Sequence, residues 1–246
     1  MSQAIYSNQT AAGYSYSQSP YRTTAILLIV EALLIFAPLT ILGAAINWPA
    51  SLGEPARVML PLIHQQATAV QLGYFSYLVY SILFWPVALM TTRTVAGSDM
   101  LNPMLRLAVG FGLASMLART LGIIRWLVPM PMLASLYVDP ATTESTREMI
   151  GLIYQMLNVY AGSIGEVLGV SLLAGLWLVL VAITMLRSAH FPGWLGLFGL
   201  IAAVAQLSAL IELFGIDLGA FITVTVSILH FWFLATGVVL WFHRSN

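Results

Sequence analysis

The chain has 246 residues, of which 60% are hydrophobic and 7% charged, with net charge zero and mean hydropathy +0.91. Soluble domains carry about 25% charged residues, so this composition excludes a water-solvated globular surface. All nine basic residues are Arg and there is no Cys. No basic surface for nucleic acid is predicted, and disulfides, thiolate metal sites and cysteine nucleophiles are excluded.

Residues 1–21 form a polar tail rich in Ser and Tyr, without apolar periodicity. Its Tyr6, Tyr14, Tyr16 and Tyr21 are candidate contacts for a partner subunit, and Asn8-Gln9-Thr10 is a formal glycosylation sequon. Residues 22–246 are predicted to form a transmembrane domain. A bilayer core needs about 20 apolar residues per helix, and six stretches of that kind follow. Span one covers Thr24–Ile46 and ends at Asn47-Trp48-Pro49. A short interfacial helix over Glu54–Gln66, with Pro55 at its start and Pro61 bending it, leads into span two, Ala67–Met90. Span three is Leu105–Leu127. The extramembrane segment Val128–Met149 opens with Pro-Met-Pro, breaks at Asp139-Pro140 and starts a polar helix at Thr142–Glu148. Span four, Ala161–Leu186, begins among Gly162, Gly165 and Gly169, a small-residue face suited to close helix contact. Span five is Trp194–Leu213, with Gly193, Gly196 and Gly199 giving a similar face, and span six is Leu218–Phe242.

The fold class is therefore an all-α polytopic membrane bundle with six transmembrane helices. Arg22, Arg93, Arg106, Arg187 and Arg244 fall on one side with Asp99 as the single acid. Arg57, Arg125 and Arg147 fall on the other, among Glu54, Asp139, Glu144, Glu148 and Asp217. The positive-inside rule places the first side, and both termini, in the cytoplasm, so the expected location is the cytoplasmic membrane. Trp48, Trp126, Trp194 and Trp241 sit near span ends as interfacial anchors.

Ionisable groups inside a span are costly, and each is a functional hypothesis. Arg119, Arg125, Glu166 and Glu212 fall at similar depth in the outer half. They read first as two structural ion pairs, Arg119–Glu166 with Arg125–Glu212 or the crossed pairing. The sharper reading is an outer polar pocket that holds a polar or anionic ligand against an Arg. His64, Gln65, Gln66 and Gln71 at the opening of span two, and Tyr154, Gln155 and Asn158 before span four, are further candidate walls. Tyr74, Tyr77 and Tyr80 share a broad face of span two, read as a lipid-boundary belt with a binding wall as the alternative. Glu31 stands alone in span one, either structural or part of a proton path. His230 lies near mid-membrane, too far from His64 by the helical rise for a shared haem. No catalytic residue, metal site or cofactor is predicted, because phosphate loops and hydrolase or metalloprotease motifs are lacking.

The run Leu186-Arg187-Ser188-Ala189-His190-Phe191-Pro192-Gly193-Trp194-Leu195-Gly196 resembles the hallmark of the bacterial six-span membrane proteins grouped as domain of unknown function 4386. In that family a Gly-rich fourth span ends in a basic-Ser turn, and aromatic-Pro-x-Trp-Leu-Gly opens the fifth. An Arg in span three is also similar, with Arg119 or Arg125 in its place. The likeness covers Leu105–Phe242 and departs after Gly199, where Ala202-Ala203-Val204-Ala205 replaces a Gly-Tyr-rich stretch. The resemblance implies a six-helix membrane fold and carries no activity with it. The resulting expectation is a non-catalytic subunit or accessory of a larger membrane complex, with the lipid bilayer and other membrane subunits as partners. The alternatives are a small-molecule binder or transporter, and a quinone- or lipid-linked enzyme using His64 and Glu166.

Overall fold

The computed structural model describes residues 19–98, 101–216, 218 and 221–243, the side chains of 19 and 221–223 excepted. The predicted tail up to residue 18, and Asp99, Asp217 and Arg244 of the charge count, lie outside the described residues. Among those described there is no strand, and six helical segments are long and apolar enough to cross a membrane.

Span one consists of α1 (Ser19–Leu34) and α2 (Phe36–Ile46), broken at Ile35. Pro38 has no N–H for the carbonyl of Leu34, so the hydrogen-bond ladder is interrupted there. Asn47 closes α2 in the left-handed region (φ 57°), and the N–H groups of Asn47 and Trp48 bond Gly43 O and Leu42 O. A 3-10 turn, Ala50–Gly53, leads to α3 (Ala56–Gln65), the predicted interfacial helix. Span two, α4 (Ala67–Ala96), outlasts its predicted end by six residues and stops at Gly97 (φ 64°). Span three is α5 (Pro103–Leu127), capped by the Asn102 side chain, which accepts from Leu105 N.

The predicted extramembrane segment is mostly helical. Pro129 occupies the first turn of α6 (Pro129–Val138), and the chain breaks at Asp139 as expected. Thr143 then caps α7 (Glu144–Gly162) by accepting from Thr146 N. From there the helix continues without a break through a π-helical stretch, Ser163–Leu173, into α8 (Ala174–Arg187). Span four is thus the inner part of a 44-residue helix. α9 (Gly193–Ser208) tightens into a 3-10 turn, Ala209–Phe214, and α10 (Phe221–Trp241) is span six.

Tyr21 at the start of α1 and His243 after α10 meet at one end of the bundle, stacked at 4.6 Å. Here α1 packs along α10, and α8 along α9. The core of this terminal end is aromatic: Trp177 meets Phe84, Trp232 and Phe233, and its indole N–H donates to Thr92 Oγ1 at 3.1 Å. A second core forms at the opposite, loop end, where α3 packs on α6 and both meet α7 around Met59, Leu60, Met130 and Ile150. Trp126, predicted to be an interfacial anchor, instead belongs to this core, stacked 4.8 Å from Tyr74. Trp194 and Trp241 are exposed on the bundle surface, in keeping with an interfacial place.

The glycine face of span four makes an internal contact. Gly165 lies against Gly122 of α5 so closely that a Cβ on Gly122 would come within 2.7 Å of the Gly165 Cα. Two backbones meet here without intervening side chains, and this contact fixes the level at which the buried charges of α5 face span four.

Candidate functional site

Between the two cores the bundle holds a belt of polar groups and a cavity of about 390 Å³. The cavity lies beyond the interruption of span one at Ile35. Before it, α1 packs along α10; after it, α2 packs on α4, and Ile35, Phe36 and Leu39 line the cavity together with Val226 and His230. The 3-10 turn and the π stretch close the back, contributing Ala209, Glu212, Glu166 and Val170. The lining is largely apolar and aromatic, with Trp48, Tyr77 and Phe231 among the rings.

The π stretch shapes the polar part. Its wide turns tilt carbonyls away from the axis, and side-chain donors take three of them. Ser171 Oγ donates to Glu166 O at 3.1 Å, Ser115 Oγ to Gly169 O at 2.7 Å, and Gln206 Nε2 to Val170 O at 3.4 Å. With its amide nitrogen used in this way, Gln206 leaves Oε1 buried beside the cavity without a partner.

Of the four charges grouped by sequence depth, two meet. Arg125 Nη2 lies 3.6 Å from Glu166 Oε1, and Arg125 Nη1 donates to Gly122 O at 3.0 Å. This is half of the crossed pairing. Glu212 faces the cavity instead and accepts one long bond, from Leu218 N at 3.4 Å. Arg119 makes no ion pair among the described residues. Its guanidinium lies 4.2 Å from the centre of the Phe84 ring and 5.7 Å from that of Tyr80, a cation–π arrangement. Nε and Nη1 of Arg119 lack protein partners, and a void of about 30 Å³ against Arg119 and Arg125 has room for about two waters.

Glu31, also fully buried, has both carboxylate oxygens without a hydrogen bond among the described residues, and Arg119 is the cation whose field reaches it. His230 is tied on both nitrogens: Nδ1–H donates to Val226 O at 2.7 Å, which leaves Nε2 to accept from Tyr80 Oη at 3.0 Å.

The tyrosines correct the sequence reading. Tyr74 and Tyr80 are buried and Tyr77 lines the cavity, so this face of α4 points inward. The lipid-facing stripe is the neighbouring one, Leu72, Phe75, Val79 and Ile82, all exposed. His64, Gln65, Gln66 and Gln71 are exposed and line neither cavity that Glu166 lines, so these cavities do not offer the ligand shared by His64 and Glu166 that the enzyme alternative requires. Tyr154 and Asn158 serve the fold, bonding Glu54 O and Leu52 O and so tying α7 to the turn after α2. Gln206 was not singled out from sequence; an amide in an otherwise apolar α9 was the available signal. Among the described residues no cluster of metal-ligating side chains occurs.

No curated protein and no solved structure matches this chain. A family model does, over residues 23–242, which takes in every span and every wall of the cavity. The six spans, the basic-Ser turn after span four and this match agree: the chain belongs to the family described as Domain of unknown function (DUF4386).

Proposed function

We propose that the protein is a non-catalytic, multi-pass protein of the cytoplasmic membrane that binds a small amphipathic molecule in the cavity between α2 and α10. The observation that carries this reading is the cavity itself: about 390 Å³, walled by apolar and aromatic side chains, with a few polar groups gathered at its back. That division of lining is the usual one for small-molecule sites. The ligand of the sequence-based alternative was to be held against an Arg, whereas here both arginines lie behind Glu166 and line only the smaller void. The distribution of Arg along the chain supports termini on the cytoplasmic side.

The test is native mass spectrometry of the protein released from lipid nanodiscs, comparing wild type with Ala209→Phe. Ala209 is 3% exposed and borders the cavity, so a phenyl ring there occupies the space. A bound mass on the wild type that disappears in the variant supports the reading. Identical spectra with no adduct on either protein overturn it.

A subunit role is the second reading, and α7 favours it. Met149, Leu152, Met156 and Val159 are all exposed and recur at helical spacing on the part of the 44-residue helix farthest from Arg187. A helix of that length exceeds a bilayer core, so a protein partner is a natural cover for this stripe. Because the chain has no Cys, Met156→Cys carries a single crosslinking handle. Specific capture of one membrane protein supports the reading; labelling by lipid probes alone overturns it.

A further inference from the structure

We propose that the molecule taken into the cavity is a lipophilic organic ammonium, a cation with at least one N–H on an apolar body. The inference rests on the cavity reading above and adds the ligand's chemical class. Three observations carry it. The polar groups at the back of the cavity are acceptors: Gln206 Oε1, 99% buried by residue and without a partner among the described residues, and the carboxylates of Glu212, which accepts one long bond from Leu218 N, and of Glu166, which stands against Arg125. The one imidazole there, His230, has both nitrogens engaged by Val226 and Tyr80 and offers nothing to a ligand.

Formal charge points the same way. Arg125 stands against Glu166, and the field of Arg119 reaches Glu31. Among the described residues Glu212 has no basic side chain against it and accepts from a backbone N–H at 3.4 Å. No Arg among the described residues lines this cavity. An anionic head would meet Glu212, which has no cation against it, and Glu166, whose only cation, Arg125, stands behind it. A neutral apolar molecule would leave the Gln206 oxygen buried and unsatisfied, which is costly. An ammonium supplies the missing positive charge and the missing donors together. Trp48, Tyr77 and Phe36 supply ring faces beside it, which favour a cation over a neutral head.

The test uses three probes of one shape and different heads: 4-phenylbutylamine, 4-phenylbutanol and 4-phenylbutyrate. Calorimetry on the full chain in phosphatidylcholine nanodiscs, with empty nanodiscs subtracted, gives the three affinities. The amine is expected to bind about tenfold or more tightly than the alcohol, the yield of one charge-assisted hydrogen bond in an apolar site, and the carboxylate most weakly. Glu212→Gln, nearly isosteric, is expected to abolish the amine's advantage while the alcohol binds as before, which also reports that the variant is folded. Gln206→Met should narrow the advantage by a smaller factor. An amine no tighter than the alcohol, or an advantage that survives Glu212→Gln, overturns the ammonium assignment and leaves the cavity reading intact. Absence of binding by all three overturns both.

Discussion

Span one packs on span six through α1 and shares a cavity with it through α2, so the two halves of their relation are built differently. At the terminal end α1 and α10 are in tight register: Gly237 lies so near α1 that a Cβ would come within 2.8 Å of an Ile29 side-chain carbon. At the loop end the same two spans enclose a cavity of about 390 Å³. The boundary between the halves falls at Ile35, where the helix of span one is interrupted, with Pro38 lacking the N–H for the carbonyl of Leu34. A bundle surrounded by lipid gains little by excluding solvent from apolar surface, so helices stay together where their shapes interlock. The closed half interlocks through Gly237 and the aromatic core. In the open half, contact is replaced by a space whose walls are suited to a guest.

That contrast predicts unequal sensitivity to mutation. The largest effect is expected in the closed half, at Trp177. Its side chain is fully buried, touches Phe84, Trp232 and Phe233, and bonds Thr92. Trp177→Ala is expected to cost about 3 kcal/mol, the low end for such truncations, because lipid rather than water is the reference solvent. Reversible unfolding in mixed micelles measures this. A loss below about 1 kcal/mol would mean that the aromatic core does not organise the closed half.

A paired experiment sharpens the comparison. Gly237→Leu forces bulk into the closed half and is expected to cost about 1–3 kcal/mol. Ala209→Leu adds a similar volume where the cavity can take it, and is expected to change stability by less than about 1 kcal/mol. Ala209 borders the cavity, whereas a Cβ at Gly237 meets the Ile29 side chain. Equal losses at the two positions would show that the open half is no more accommodating than the closed one.

Much of this architecture was legible from the residue order. Runs of apolar residues marked six spans, Asn47 and the Asp139 break marked ends, and the Gly162–Gly169 face marked a close helix contact. What could not be read was which face of each span turns inward. In a soluble helix polarity separates core from solvent, but here both surroundings are apolar, and Tyr74, Tyr77 and Tyr80 on α4 face inward while Phe75 and Val79 face lipid. The cavity was hidden for a related reason. It lies beside the interruption of span one and the π turns of span four, and the π turns have no residue pattern of their own. Depth counting placed the four charges at one level, yet depth does not say which side of a helix a charge occupies. Glu166 and Arg125 met; Arg119 turned to Phe84.

The smallest expected effect concerns that meeting. Arg125 and Glu166 stand at the boundary between the loop-end core and the cavity, 3.6 Å apart, with the Arg buried and the Glu side chain half exposed. If the pair held the bundle together, a double-mutant cycle with Arg125→Met and Glu166→Gln would return a large coupling. The separation is long for a direct ionic contact, and the carboxylate is open to the cavity, so a coupling of about 1 kcal/mol or less is expected. Arg125→Met alone should cost more than Glu166→Gln alone, because Arg125 also bonds Gly122 O and lies 5.4 Å from the Trp126 ring centre. That asymmetry is the informative quantity. It would assign Arg125 to the architecture of the loop end and leave Glu166 to the cavity, whereas a coupling well above 1 kcal/mol would make the carboxylate part of the scaffold and leave Glu212 as the main charge facing a ligand.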